Sequence, residues 1–449
     1  MNSRSYAFFL AAALLAGCAT VPPQVTVTGP PDVAPAQPVI PDRTFNLKDF
    51  GAKGDNGATV STDAFKKAIA AVDQAGGGTL IVPAAPGAYF TGPFDLCSNL
   101  NFRLEAGAKI LFSPKFDDYR GGGGTRGYRP LIQIRQAHDV LVSGSGTIDG
   151  NGEAWWPEAR RFKAEANARH ASGNTSPRPV MLSFNGCQRI RVEGVTLTNA
   201  PVFNLVQNTC EDVTCEGITI LNPAIAPNTD GIDPKDCKRV LIAHCHIDTG
   251  DDNVALGGSG GTLEEDILIT DCTFLHGHGC SIGSGTASGV RNLIVRRCTF
   301  DGTDTGVRLK SSRGRGGLVE NVVYEDLTMK NVGVAISISS YYDNTPIDTS
   351  LSRSAVAPAA DAASRTPQWR NITVRNVTAV ACRKSAGLIT GLPGTPAEAI
   401  ALDHVAIEAP TGLKIADTKG ITLRQVKVVA AAGADVIADA SVQGLVRSE

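Results

Sequence analysis

Four short stretches of the 449-residue chain hold side chains that could do chemistry together. In NTDGID, residues 228–233, Asp230 and Asp233 sit behind a Thr; in GDDNVAL, residues 250–256, Asp251 and Asp252 are adjacent. In GHG, residues 277–279, His278 stands between glycines, and in RLK, residues 308–310, Arg308 and Lys310 flank Leu309. A group of carboxylates can hold calcium, decorate turns or move protons. Calcium takes about six to eight oxygen ligands. The DGIDPKD spacing is not that of an EF-hand loop, and His278 and Arg308 would repel a cation, so no metal or other cofactor is expected. Proton chemistry fits better. Crowding carboxylates raises the pKa of at least one, which keeps a proton available near neutrality. Hydrolysis of a glycosidic bond with inversion needs one carboxylic acid to protonate the leaving oxygen. It also needs a second carboxylate, about 6.5–9.5 Å away, to activate water. A histidine nearby can hold the proton in place by hydrogen bonding.

These residues are far apart in sequence, so a scaffold must bring them together. The segments starting at Ile190, Val213, Val240, Ile267, Leu293 and Val322 alternate apolar and polar residues and then break at turn formers; successive starts differ by 23, 27, 27, 26 and 29 residues. Val140, Ile372 and Ile421 open similar segments on either side. A unit of this length cannot bury its own apolar face and must stack on copies of itself. No helical stretch separates the strands, which leaves a right-handed parallel β-helix with one coil per repeat. On that frame Asp251 lies eleven residues after Val240 and His278 eleven after Ile267, a separation of 278 − 251 = 27, or one coil. Asp230 precedes Asp251 by 21 residues, close to one coil, and Arg308 and Lys310 fall on the coil after His278. Taken singly, each has a structural explanation: an Asp stopping a strand, a core His, a solvated edge. Their shared phase points to one stripe.

Cys245, Cys272 and Cys298 each follow a coil start by five residues, and Cys187, Cys210 and Cys237 each precede one by three. Same-phase residues stack in ladders, and inward thiols behave as small core hydrophobes, with disulfides in an oxidising periplasm the alternative that sequence leaves open. An open β-helix end needs a cover. Residues 61–78 supply a short N-terminal capping helix with Phe65, Ala68, Ile69 and Val72 on one face, Ser61 or Thr62 at its start and glycines at its end. The β-helix domain is expected from residue 44 to 449. Before it, residues 19–43 form a Pro-rich linker. Residues 1–18 read as a signal segment, its apolar run too short to span a bilayer, ending in Leu15-Ala16-Gly17-Cys18. That ending looks like a bacterial lipobox with Cys18 lipidated. One acyl-bearing end means anchored to a membrane rather than spanning it. A net charge of −2 without basic runs excludes nucleic acid as a partner. A monomer is expected.

The motifs NTDGID, GDDNVAL, GHG and RLK, in this order and spacing, resemble the signature segments of glycoside hydrolase family 28, the polygalacturonase family. The resemblance runs from Phe45 to SISSYYDN at 337–344. It implies Asp251 as general acid, Asp230 and Asp252 positioning and deprotonating water, and His278 beside the acid. Arg308 and Lys310 would grip a galacturonate carboxylate, with Tyr341 or Tyr342 shaping that subsite. The implied substrate is a pectic polysaccharide or oligogalacturonide. By resemblance to bacterial lipoproteins, Ala19 after the Cys points to the outer membrane, on its periplasmic or cell-surface face. One departure is GGSGG at 257–261, where the family usually continues with Lys, a small residue and Gly. The loops at 150–179, with Trp155 and Trp156, and at 343–369 are placed to wall off one end of a cleft. The Trp pair could stack on a sugar or pack in the interior. Other readings are a hydrolase of rhamnogalacturonan or another uronate glycan, a calcium-dependent lyase, and a non-catalytic surface β-helix that only binds polysaccharide.

Overall fold

A computed structural model describes residues 33–121, 127–168, 176–258, 260–342 and 365–449. The segment with Cys18, linker residues 19–32, part of the 150–179 loop and most of the 343–369 loop lie outside the described residues.

The alternating segments form strands that pair in parallel with the strands one repeat before and after. Ile190 lies beside Val213, and the line continues through Val240, Ile267, Leu293 and Val322, the six starts expected from the repeat. Val140 and Ile372 extend it at either end. Ile421 does not follow Ile372 directly: Ile400 stands between them, a coil the repeat reading passed over. Leu100 and Gly78 add further coils before Val140. Each central coil contributes strands to three parallel ladders, exemplified by Val240, by His246 and by Ile232. The chain is a right-handed parallel β-helix.

The turn between two ladders has a simple local cause. The residue just before each start is Arg189, Asp212, Arg239, Asp266, Asn292, Asn321 or Asn371, and each is left-handed with φ between 50 and 60°. Asn and Asp tolerate that region because their short polar side chains bond locally. Here they also bond up the stack: Asn321 donates to Asn292 and Asn371 to Asn321.

Inward residues fill the solenoid with a continuous apolar core. The cysteine ladders belong to it. All ten described cysteines are free and nine are buried; the amide of Cys187 donates to Cys210 Sγ and that of Cys210 to Cys237 Sγ. Burial pushes the Cys215 and Cys280 thiols well up, as expected of packing groups rather than nucleophiles. Helix α1 (Thr62–Gln74) covers the N-terminal end, burying Phe65, Ala68, Ile69 and Val72. Phe65 stacks on Phe94 with ring centroids 4.7 Å apart. The expected hydroxyl cap is not made. Ser61 Oγ instead accepts from the Lys53 amide, and Thr62 Oγ1 accepts from the Gly92 amide at 2.6 Å, so both tie the helix start to flanking loops.

The described part of the linker, residues 33–43, is no free tether. The amides of Ala36 and Val39 donate to Asp212 and Asp139, and Arg191 donates to Gln37 Oε1. Val33 packs on Leu268, Ile294 and Val323, so this strap lies along the outer flank across several coils.

Candidate active site

The site stands on four successive strands of one ladder: Ile232–Lys235, Val254–Leu256, Cys280–Ile282 and Thr305–Lys310. Ile232 pairs with Val254, Val254 with Cys280 and Cys280 with Val307. The first step is 22 residues, so Asp230 lines up with Asp252 rather than with Asp251, and the Gly231 amide donates to the Asp252 carbonyl. His278 falls beside Asp251 as expected, its amide donating to the Asp251 carbonyl at 2.9 Å. The glycines around it are needed for this approach. Gly277 and Gly279 have φ of 63° and 89°. A Cβ would stand 2.4 Å from the Asp251 carbonyl oxygen at the first and 2.1 Å from that of Thr305 at the second. Asn253, fully buried behind Asp252, accepts from the Gly279 amide and donates to the carbonyls of Ile247 and Leu275.

Three carboxyls with different environments face each other here. Asp252 receives Arg308 at 2.5 Å and Ser281 Oγ at 2.7 Å on Oδ1, and Lys310 at 2.6 Å on Oδ2. Burial alone would raise its pKa, but the Lys310 and Arg308 charges outweigh it and hold Asp252 well below the usual carboxylate range. Asp251 accepts from His278 Nδ1 at 3.0 Å and from the Asn228 side-chain amide at 3.3 Å. Burial pushes Asp251 up, and the His278 charge and hydrogen bond bring it down below the ordinary value. His278 is the counterpart: burial disfavours its charge, yet Asp251 and Asp252 push it up to about 9. Its Nε2 lies 3.4 Å from Asp304. Among the described residues no cation is within bonding reach of Asp230, and its buried Oδ1 has no hydrogen-bond partner. Burial first, then the charges of Asp251, Asp233 and Asp252, push it well above the usual range. The site thus sets its carboxyls apart: burial and like charge favour the protonated form of Asp230, Lys310 and Arg308 favour the anion of Asp252, and Asp251 is coupled to His278.

A family model described as Glycosyl hydrolases family 28 matches residues 94–432. This chain belongs to glycosyl hydrolase family 28. A polygalacturonase of Chamaecyparis obtusa is 30% identical over 82% of this chain and 68% of its own length. An endo-polygalacturonase of Pectobacterium parmentieri is 30% identical over 73% of this chain and 79% of its own. The crystal structure of an exopolygalacturonase from Thermotoga maritima superposes with a TM-score of 0.71 at 29% identity, covering 87% of this chain and 94% of that one.

Around the carboxyls, this family 28 glycosidase differs from the sequence reading in several contacts. Arg308 and Lys310 do share a face with Leu309 packed inward, but both are spent on Asp252 and only 7% exposed. The Lys310 ammonium lies 5.3 Å from the centre of the Tyr342 ring, and the Tyr342 amide donates to the Ser311 carbonyl. Tyr341 lies beside it, its amide donating to Ser339 Oγ. Trp155 and Trp156 are packing residues: Trp155 stacks on Phe116 at 3.9 Å, and the Trp156 indole donates to the Ala200 carbonyl. The glycine run after GDDNVAL also has a structural reason. A Cβ on Gly258 would stand 1.6 Å from Asp236 Oδ1, and the Gly257 amide donates to the buried Glu264. Four polar residues at the site went unremarked in the sequence reading: Asn228, Ser281, Asp304 and Arg178. Asn228 lies within the NTDGID stretch and was open to notice; the other three sit in ordinary strands and turns.

Proposed function

We propose that this chain hydrolyses galacturonosyl bonds of pectic polysaccharide with inversion at the anomeric carbon. An Asp251 oxygen and an Asp252 oxygen lie within 4.8 Å of each other, closer than the roughly 6.5–9.5 Å expected of an inverting pair, so the stereochemical reading rests on the family resemblance and not on that spacing. The observation that carries the reading is the unequal treatment of three neighbouring carboxyls. Asp251 has the more exposed side chain of the Asp251–Asp252 pair, at 16% against 4%, and it lies nearer to His278 Nδ1, at 3.0 Å against 3.6 Å. The His278–Asp251 pair acts as one acid with one shared proton: in the reacting form that proton is on Asp251 Oδ2, which gives it to the leaving oxygen while the His278 Nδ1–H stays on Oδ1. Asp252, the carboxylate kept ionised under Arg308 and Lys310, orients the attacking water and takes up the proton it releases, with Asp230 alongside. The polygalacturonase relatives support the choice of sugar. Arg308 can meet a uronate carboxylate through a bidentate fork and Lys310 as a point charge. Rearranging them from Asp252 onto substrate would loosen the grip on the base as the sugar arrives. The glycine run at 257–261 favours a second reading, another uronate-bearing glycan, because the cation usual at that place in the family is missing.

Incubation with polygalacturonate and with rhamnogalacturonan, followed by sizing of products and proton NMR of the first product, tests both readings. Release of inverted galacturonate ends from the first polymer is expected. A retained anomer, or an unsaturated ultraviolet-absorbing product, would exclude the mechanism. Asp251→Asn keeps size and polarity but donates no proton, so hydrolysis should fall about 10²–10⁴-fold with the fold intact.

A further inference from the structure

Arg178 lies outside the motif stretches and is 2% exposed. Its guanidinium bridges two turns that support the site. One terminal nitrogen donates to the carbonyls of Pro201 and Pro227, both at 2.8 Å, and the other to Asn228 Oδ1 at 2.8 Å. Asn228 is left-handed, with φ of 55°, at the start of the turn that carries Asp230. Its Nδ2 donates to Asp251 Oδ2 at 3.3 Å.

We infer that Arg178 is a positioning residue for the glycosidase reaction, acting on Asp251 through the orientation of the Asn228 amide; this rests on Asp251 being the acid. Guanidinium has donors only, so it can bind only the carbonyl end of an amide. With that end committed to Arg178, the NH₂ end must face Asp251. A free Asn could turn over at little cost and present its oxygen there instead. The two orientations have opposite consequences. A donor on Oδ2 stabilises the carboxylate that forms as Asp251 gives up its proton, whereas an acceptor there would hold the protonated form. Asp251 Oδ1 is already engaged by His278 Nδ1 and by the Asp252 amide, the latter at 2.9 Å, which leaves Oδ2 as the oxygen facing the leaving group. The charged groups around Asp251 are His278, Asp252, Asp230, Asp233 and Lys310. None of them contacts Oδ2 as Asn228 does, so the Asn228 donor is the contact that substitution of Arg178 would disturb there.

The test compares Arg178→Met, Asn228→Ala and the double variant, with kcat and KM on oligogalacturonide measured across pH. Losing the donor raises the pKa of Asp251, so the alkaline limb should move to higher pH while kcat falls roughly 10- to 100-fold and KM changes little. The double variant should be no worse than Asn228→Ala alone, because one path carries both effects. A purely structural Arg178 would lower the melting temperature, leave the limbs in place and give additive losses, and that outcome overturns the inference. If Arg178→Met does not fold, Arg178→Lys serves. It keeps one donor for Asn228, so near-normal kcat and limbs, or a limb shift absorbed into that of Asn228→Ala in the double variant, support the inference; a shift that adds to it, or a lowered kcat with the limbs in place, refutes it. Full activity in Asp251→Asn would sink the acid assignment itself and is scored separately.

Discussion

At the residue scale, the site pairs each carboxyl with a different fate, and each fate makes a measurable claim. Arg308 and Lys310 depress the pKa of Asp252 by lying on both its oxygens. Removing either cation therefore raises that pKa, and the acidic limb of activity should move to higher pH in Arg308→Gln and Lys310→Met. Each lost charge-assisted bond is worth about 1.5–3 kcal/mol, which is roughly 10- to 150-fold in kcat/KM. Part of that loss, through Asp252, should appear on every substrate. The excess loss on de-esterified over methyl-esterified polygalacturonate isolates the contact to the sugar carboxylate. Equal losses on both substrates would confine the pair to holding Asp252. Asp230 makes the opposite demand. Its pKa is raised on folding, so the native state keeps a proton that the unfolded chain releases above pH about 3.9. Stability contributed by Asp230 therefore falls as pH rises from there. Asp230→Asn should abolish hydrolysis yet melt higher than the wild type at pH 7, with the gap shrinking towards pH 4. An equal gap at both pH values would show that the buried carboxyl carries no such strain.

At the element scale, most of the scaffold was legible because burial leaves a period. An inward residue at fixed phase must be apolar in every coil, and the six starts from Ile190 to Val322 pair in that register. The coil at Ile400 escaped because the left-handed position before it is held by Ala399, with φ of 53°, and not by the Asn or Asp that marks most other coils. The site was legible where chemistry is concentrated in runs, as in Asp251–Asp252 and His278. It was not where a single residue acts across space: nothing in the sequence around Arg178 says that its guanidinium reaches Asn228 fifty positions later. The register of Asp230 was off by one because the coil length there, 22, can be read only from strand pairing. The capping helix gives this scale its prediction. Phe65 is fully buried against Phe94 and Phe102 at the open end of the solenoid. Phe65→Ala should cost about 3–5 kcal/mol. Because coils stack like repeats, the loss should fray the N-terminal end first. Hydrogen exchange should therefore quicken over residues 78–112 well before the strands at 232–310. Uniform quickening would mean that the solenoid opens as one unit.

At the scale of the whole molecule, the strap over residues 33–43 fixes where the preceding chain departs from the β-helix. Val33 sits against Leu268, Ile294 and Val323, on the coils that also carry His278 and Arg308. Those coils face the flank with one ladder and the active site with another, so the departure point is level with the site but around the corner from it. We propose that Cys18 is lipidated and that the protein is anchored to the outer membrane. Residues 19–32 then span at most about 50 Å when fully extended. A single acyl chain binds a membrane only marginally, and stable anchoring takes more than one. Stable anchoring therefore requires Cys18 to carry at least two acyl chains, in which case wild type should sediment with membranes and take up labelled fatty acid, and Cys18→Ser should do neither. On soluble oligogalacturonides Cys18→Ser should retain full kcat/KM, because the strap and the site lie wholly beyond the tether. Recovery of the wild type in the soluble fraction without detergent would refute the anchor. Reduced activity of Cys18→Ser on short oligomers would show instead that the segment before residue 33 reaches into the cleft.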